Sequence, residues 1–260
     1  MLSSTSILLR RGPELEVTRG GEGPPLVWLH GMSVARPGEP LLEALARDCA
    51  VIAPAMPGRK SPAELDDLPS LHDLVLFYDS ALEALGVHGA VLAGHGFGGM
   101  LAAELAAVAP HRFDALVLIS PLGLWNDAHP VEDLFSRPYK AVDELIWRGA
   151  VHSPPAHSPG EENVEEQIAL VNGLGAIARY TWPIPDRGLK NRLYRVEIPT
   201  LLLFAEADAW APAAYAEDFA AGLADAQARI LPGSHMAPYE RPEETARLIA
   251  DFARTAFRAS

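Results

Sequence analysis

Ala90-Val91-Leu92-Ala93 runs without a break into Gly94-His95-Gly96-Phe97-Gly98-Gly99, and a helix-forming stretch begins near Met100. Small residues at Gly94 and Gly98 suit a tight strand-to-helix turn, because the chain and the helix pack too closely there for a Cβ. This is the spacing of a nucleophile elbow, in which a strained, positive-φ backbone pushes the middle residue out of the sheet top as an attacking serine, aspartate or cysteine. Here the middle residue is Gly96, which carries no attacking group. A second reactive candidate is His235, in a loop before the last helical stretch, where a histidine oriented by a carboxylate can work as a general base. Glu206 and Asp208, in the loop after a buried strand, compete as its partner. Gly94, Gly96 and Gly99 also satisfy a Gly-x-Gly-x-x-Gly dinucleotide spacing. That motif should open an initial βαβ unit and have an acid at a strand end about 20 residues on. This segment lies deep in the chain, and the residues after Glu104 are Ala- and Leu-rich until Asp114 in a loop, so the nucleotide reading is weak.

Positioning such groups needs a framework, and the hydrophobic pattern supplies one. Apolar runs at Leu26–Leu29, Val51–Ala53, Ala90–Ala93, Ala115–Ile119, Thr200–Phe204 and Ala228–Leu231 lack polar alternation and read as strands buried on both faces. Amphipathic stretches at Pro40–Arg47, Leu71–Leu85, Gly98–Ala109, Pro212–Leu223 and Pro242–Phe257 lie between or after them. Alternating strand and helix implies an α/β fold, a mostly parallel sheet covered by helices on both faces. Ser6–Arg10 and Glu14–Arg19, joined through Gly12-Pro13, predict an antiparallel hairpin at one edge.

The alternation breaks between Pro121 and about Pro199, which predicts a core of residues 1–120 and 199–260 with a helical cap over 121–198. Ser153–Glu162 is turn-rich, and Asn163–Arg179 returns to helical spacing. Three of the five tryptophans, Trp125, Trp147 and Trp182, fall in the insertion with Phe135, Tyr139 and Tyr180. Each is more simply a piece of the cap's own core, yet together they favour an apolar ligand.

With these segments in view, the chain resembles the α/β-hydrolase superfamily over almost its whole length. Val27-Trp28-Leu29-His30-Gly31-Met32 is similar to the family's strand ending in His-Gly, which helps build the oxyanion hole. Val51-Ile52-Ala53-Pro54 with Met56-Pro57-Gly58-Arg59-Lys60-Ser61 is similar to its Pro-Gly-x-Gly-x-Ser loop, one residue shorter. Leu201–Phe204 with Ala205-Glu206-Ala207-Asp208 resembles its acid strand and loop, and Leu231-Pro232-Gly233-Ser234-His235 its histidine loop. The order of nucleophile position, Asp208 and His235 is the one this superfamily uses.

The resemblance implies that the amides of Met32 and Phe97 form the oxyanion hole, at about 3 kcal/mol per donor in a dry site. It also implies that Asp208, favoured over Glu206 by the family's small-x-x-Asp spacing, orients His235. Gly31, His95, Trp125, Trp147 and Trp182 are the candidate substrate contacts. Ser33, Ser120 and Ser234 all lie near the sheet top by topology, but none is on an elbow, and each reads as a loop hydrogen-bonder.

Charge and cysteine usage restrict the partners. Lys and Arg total 21 against 34 Asp and Glu, a net charge of −13, opposite to the basic footprint of a nucleic-acid or anionic-membrane binder. Hydrophobic content of 49% excludes wholesale disorder, and no apolar run approaches the roughly 18 residues needed to span a bilayer. Arg10 and Arg11 follow a short apolar run instead of preceding a long one, so the expected location is the cytoplasm. The one cysteine, Cys49, has no disulfide partner and reads as a buried apolar residue. No metal or organic cofactor is expected, the expected partner is a small molecule, and a homodimer is left open.

Three functional readings follow. In the first, the chain is an enzyme acting on a small, largely apolar ester or carbonyl compound, with His235 and Asp208 activating water or taking a substrate proton. Hydrolysis leads here, with lyase and isomerase chemistry open. In the second it is a non-catalytic ligand binder or pseudo-hydrolase, and in the third a serine hydrolase inactivated by Ser→Gly.

Overall fold

The computed structural model describes residues 1–33, 35–148, 150 and 163–259. Eight strands form one sheet in the order β1-β2-β4-β3-β5-β6-β7-β8. β1 (Ser3–Ile7) and β2 (Leu15–Gly20) pair antiparallel at one edge, and β2 pairs antiparallel with β4 (Ala50–Pro54). From β4 onward, β3 (Pro25–Leu29), β5 (Ala90–His95), β6 (Phe113–Ile119), β7 (Thr200–Ala205) and β8 (Ala226–Leu231) run parallel. Every residue of β5 and β7 is buried, as expected of central strands covered on both faces.

Local chemistry sets the helix starts. Glu39 caps α1 (Pro40–Leu45), and Ser70 and Asp73 form a reciprocal capping box at α2 (Leu71–Ala84). α3 (Phe97–Val108) packs on β5 and β6, with every residue from Phe97 to Ala107 buried. Its run of Gly and Ala lets it lie close to the sheet. After β6 the chain leaves the sheet, forms α4 (Tyr139–Ile146) and α5 (Val164–Thr181), and returns at β7. Asn163 caps α5 by accepting from the Glu166 amide. The turn-rich Ser153–Glu162 stretch lies outside the described residues. α6 (Tyr215–Gly222), α7 (Ala237–Glu240) and α8 (Pro242–Ala259) complete the helical layers.

Two elements differ from the sequence expectation. β8 is not buried on both faces: Gln227 through Ile230 are exposed, because β8 is the last strand and has only β7 beside it. The hairpin is wider than a tight Gly12-Pro13 turn, since burying Leu15 and Val17 sets Ile7 opposite Leu15 and leaves 8–14 as the connection. No helix among the described residues is long and apolar enough to cross a membrane.

Candidate active site

Gly96 joins β5 to α3 with φ 57° and ψ −117°, a conformation that strongly favours glycine. The turn is tight enough to exclude side chains beside it: a Cβ on Gly98 would lie 2.0 Å from the Leu29 carbonyl oxygen. A Cβ on Gly31 would lie 2.7 Å from the His95 carbonyl oxygen and 3.4 Å from the Phe97 nitrogen, so the His30-Gly31-Met32 loop presses against the elbow. The Phe97 amide is the first of its helix and has no intrahelical acceptor. Among the described residues neither it nor the Met32 amide donates to another group.

His30 holds that loop. Its Nε2 accepts from the Met56 amide at 2.9 Å, which leaves the proton on Nδ1, 3.2 Å from the Gly31 carbonyl oxygen. Burial, helped by the Arg59 charge, lowers its pKa to about 3, so the ring is neutral and works as a strut between two loops.

His235 and Asp208 meet in the interior, with Nδ1 to Oδ2 at 2.9 Å and both side chains fully buried. The other Asp208 oxygen accepts from the amides of Trp210 at 2.8 Å and Ala211 at 2.7 Å. Burial pushes the Asp208 carboxyl up, but His235, the Ala211 amide and the nearby Ser120 hydroxyl outweigh it and hold the group below the usual carboxylate range. The Ser120 hydroxyl itself makes no well-formed hydrogen bond. Glu206, the competing acid, has an exposed side chain.

With Nδ1 bonded to the carboxylate, His235 Nε2 is free to accept a proton. It is buried without a hydrogen-bond partner and lies 3.0 Å from where a side chain on Gly96 would begin. The other atom near that point is Cε1 of the same ring, at 3.4 Å. His95 donates from Nε2 to the His235 carbonyl at 2.8 Å, and its ring lies 4.6 Å from the His235 ring. Burial lowers His95 to about 3, which keeps it neutral at that contact.

A tryptophan outside the insertion packs on this centre. Trp210 lies edge-on to His235 at 5.0 Å with Phe135 behind it, and Tyr180 stacks on Phe97 at 6.0 Å. Trp125 is half-buried and donates to Asp127, Trp147 is part of the hydrophobic core, and Trp182 is 54% exposed. Trp210 was legible only through its position two residues after Asp208. Ser33 bonds Tyr239 and Ser234 bonds Glu240, so both hydroxyls are engaged away from the elbow. No group of three metal-ligating side chains exists among the described residues.

This strand order, the positive-φ elbow and a His–Asp pair behind it define a class. The chain belongs to the α/β-hydrolase superfamily: residues 26–248 match the Alpha/beta hydrolase family. It is 36% identical over 116 residues to a Mycobacterium phage D29 protein that carries the name non-heme haloperoxidase, a match covering 44% of this chain and 42% of that protein. A human monoacylglycerol lipase is 24% identical over a match that takes in 90% of this chain and 76% of the lipase. The haloalkane dehalogenase DbeA of Bradyrhizobium elkani superposes with a TM-score of 0.77 at 18% identity, covering the whole of both chains, which shows a shared fold. The superfamily is one of enzymes, and the chain is a hydrolase-family member.

Proposed function

We propose that this enzyme hydrolyses a small, largely apolar ester or related carbonyl compound without forming an acyl-enzyme. The observation that carries the reading is the buried, partnerless Nε2 of His235, 3.0 Å from the side-chain origin of Gly96. Leaving such an acceptor unpaired costs about 1–3 kcal/mol, which is accounted for if a reacting oxygen occupies that point. A water oxygen there gives its proton to Nε2 and attacks the substrate carbonyl. The Phe97 and Met32 amides receive the oxyanion, and the imidazolium, stabilised by Asp208, returns the proton to the departing alkoxide. The products are an acid and an alcohol, with the enzyme unchanged. The Trp210 ring packed on His235 suits an apolar substrate, and the lipase name of the human relative is in keeping with an ester.

The test is turnover of a panel of small esters by the unmodified chain. Asp208→Asn should lower kcat by about 10³- to 10⁴-fold with little change in KM, through the wrong imidazole tautomer. His235→Ala should remove activity, and mass spectrometry of quenched reactions should find no acyl adduct. A tight ligand recovered unchanged after long incubation would make the chain a binder and end the enzymatic reading.

A further inference from the structure

A cavity of about 300 Å³ opens between the His30–Ser33 segment, the Pro57–Lys60 turn and helix α5. Met32 and Ser33 line one wall, and Ala169 and Leu170 of α5 line another. Arg59 also lines it and is held in place from α5 at two points. The Asn172 side-chain amide donates to the Arg59 carbonyl at 3.2 Å, and Gly173 leaves room for the guanidinium: a Cβ there would lie 2.9 Å from Nη1.

Among the cationic side chains that line this cavity, two are paired and one is not. Arg36 pairs with Glu166 at 2.8 Å and Lys60 with Glu16 at 3.1 Å. Glu64 accepts from the Gly58 amide at 2.7 Å, and Glu39 is occupied capping α1. Arg59 has no carboxylate partner among the described residues, and its one acceptor is the Met32 carbonyl at 3.5 Å, the outer limit for a hydrogen bond. Most of its five donors are thus unspent, in a half-buried position where burial already opposes the charge. A planar fork presented to a small cavity is the arrangement that recognises a carboxylate through two parallel hydrogen bonds.

We propose that this cavity binds a small organic monocarboxylate, its carboxylate seated on the Arg59 guanidinium and its apolar body against Met32 and Leu170. Glu14, Glu39 and Glu64 share the lining, so a dianion such as phosphate meets more repulsion than a monoanion does. The volume is at the small end for ligand sites and suits a benzoate-sized molecule. The site needs no chemistry at Gly96 and stands whether or not the proposed hydrolysis does.

Isothermal titration calorimetry on the full chain tests it with benzoate, butanoate, benzamide and inorganic phosphate. Benzoate should bind at least about tenfold more tightly than benzamide, and Arg59→Met should remove that preference while leaving benzamide unaffected. Arg59→Lys should retain part of it, and Gly173→Ala, which displaces the guanidinium by one methyl, should weaken benzoate several-fold. These two milder variants keep the test decisive if Arg59→Met folds poorly. His235→Ala should bind benzoate as the unmodified chain does, so a loss there would place the anion at His235 and overturn the proposal. Equal binding of benzoate and benzamide, no binding of either, unaltered benzoate affinity in Arg59→Met, or a preference for phosphate would each overturn it as well.

Discussion

Gly96→Ser puts an attacking oxygen beside His235 Nε2, the base of the proposed reaction, so its effect can be worked out in advance. A side chain at φ 57°, ψ −117° carries strain of about 1–3 kcal/mol. The new Cβ would also sit 3.0 Å from His235 Nε2, so the imidazole must withdraw by a few tenths of an ångström. Together these should lower the melting temperature by roughly 2–12 °C, at about 2–4 °C per kcal/mol for a chain of this size. Against that, removing one member of a working triad typically costs about 10⁴- to 10⁶-fold in kcat, so supplying the missing one should raise p-nitrophenyl butyrate hydrolysis by at least about 10³-fold. Stopped-flow measurement should show a burst of p-nitrophenolate, and the intact mass should gain one butyryl group. Adding His235→Ala should abolish the gain. A variant with native circular dichroism and a melting temperature in this range, but with neither burst nor adduct, would refute the convergence of these groups on position 96.

Two further outcomes follow from buried residues near the site. Burial raises Glu39 from 4.5 to about 7 despite the Leu41 and Leu42 amides that bond it, so the folded state holds a proton that the unfolded state has released. Stability from this group is present below about pH 4.5 and is lost as pH rises to about 7. The size is on the order of 3 kcal/mol at most, and Glu39→Gln should flatten urea-denaturation stability across that window. An unchanged slope would assign the pH dependence elsewhere. Trp210→Ala should cost about 3–5 kcal/mol in thermal or chemical denaturation, because the ring is 2% exposed and packs on His235. Trp182→Ala, at a position 54% exposed, should cost under about 1 kcal/mol, and equal losses would contradict the packing described.

How far the site could be read from the residues varies with the kind of contact. The order of strands and helices was legible because burial on two faces writes uninterrupted apolar runs at β5, β6 and β7. Ala228–Leu231 has the apolar pattern of an interior strand, and only the place of β8 at the sheet edge exposes it. Asp208 and Glu206 lie two residues apart in one loop and are chemically alike. The fold separates them by turning Asp208 inward to His235 and Glu206 out to solvent. No local pattern marks Trp210 as a neighbour of His235, because the two lie 25 positions apart.

The residues alone determined that the elbow carries no hydroxyl, that Gly94 and Gly98 permit the close strand-to-helix approach, and that a histidine loop follows an acid loop. These are properties of residue type and short-range spacing, which the chain states directly. The tertiary structure alone decided that His235 Nε2 faces the Gly96 position at 3.0 Å and that Arg59 lies against Gly173 without an ion pair among the described residues. Both depend on where segments more than a hundred residues apart are brought together by burial, and apolar burial is non-directional. It leaves in the sequence which residues go inside, while the distances between the polar groups carried in with them exist only once the chain has packed.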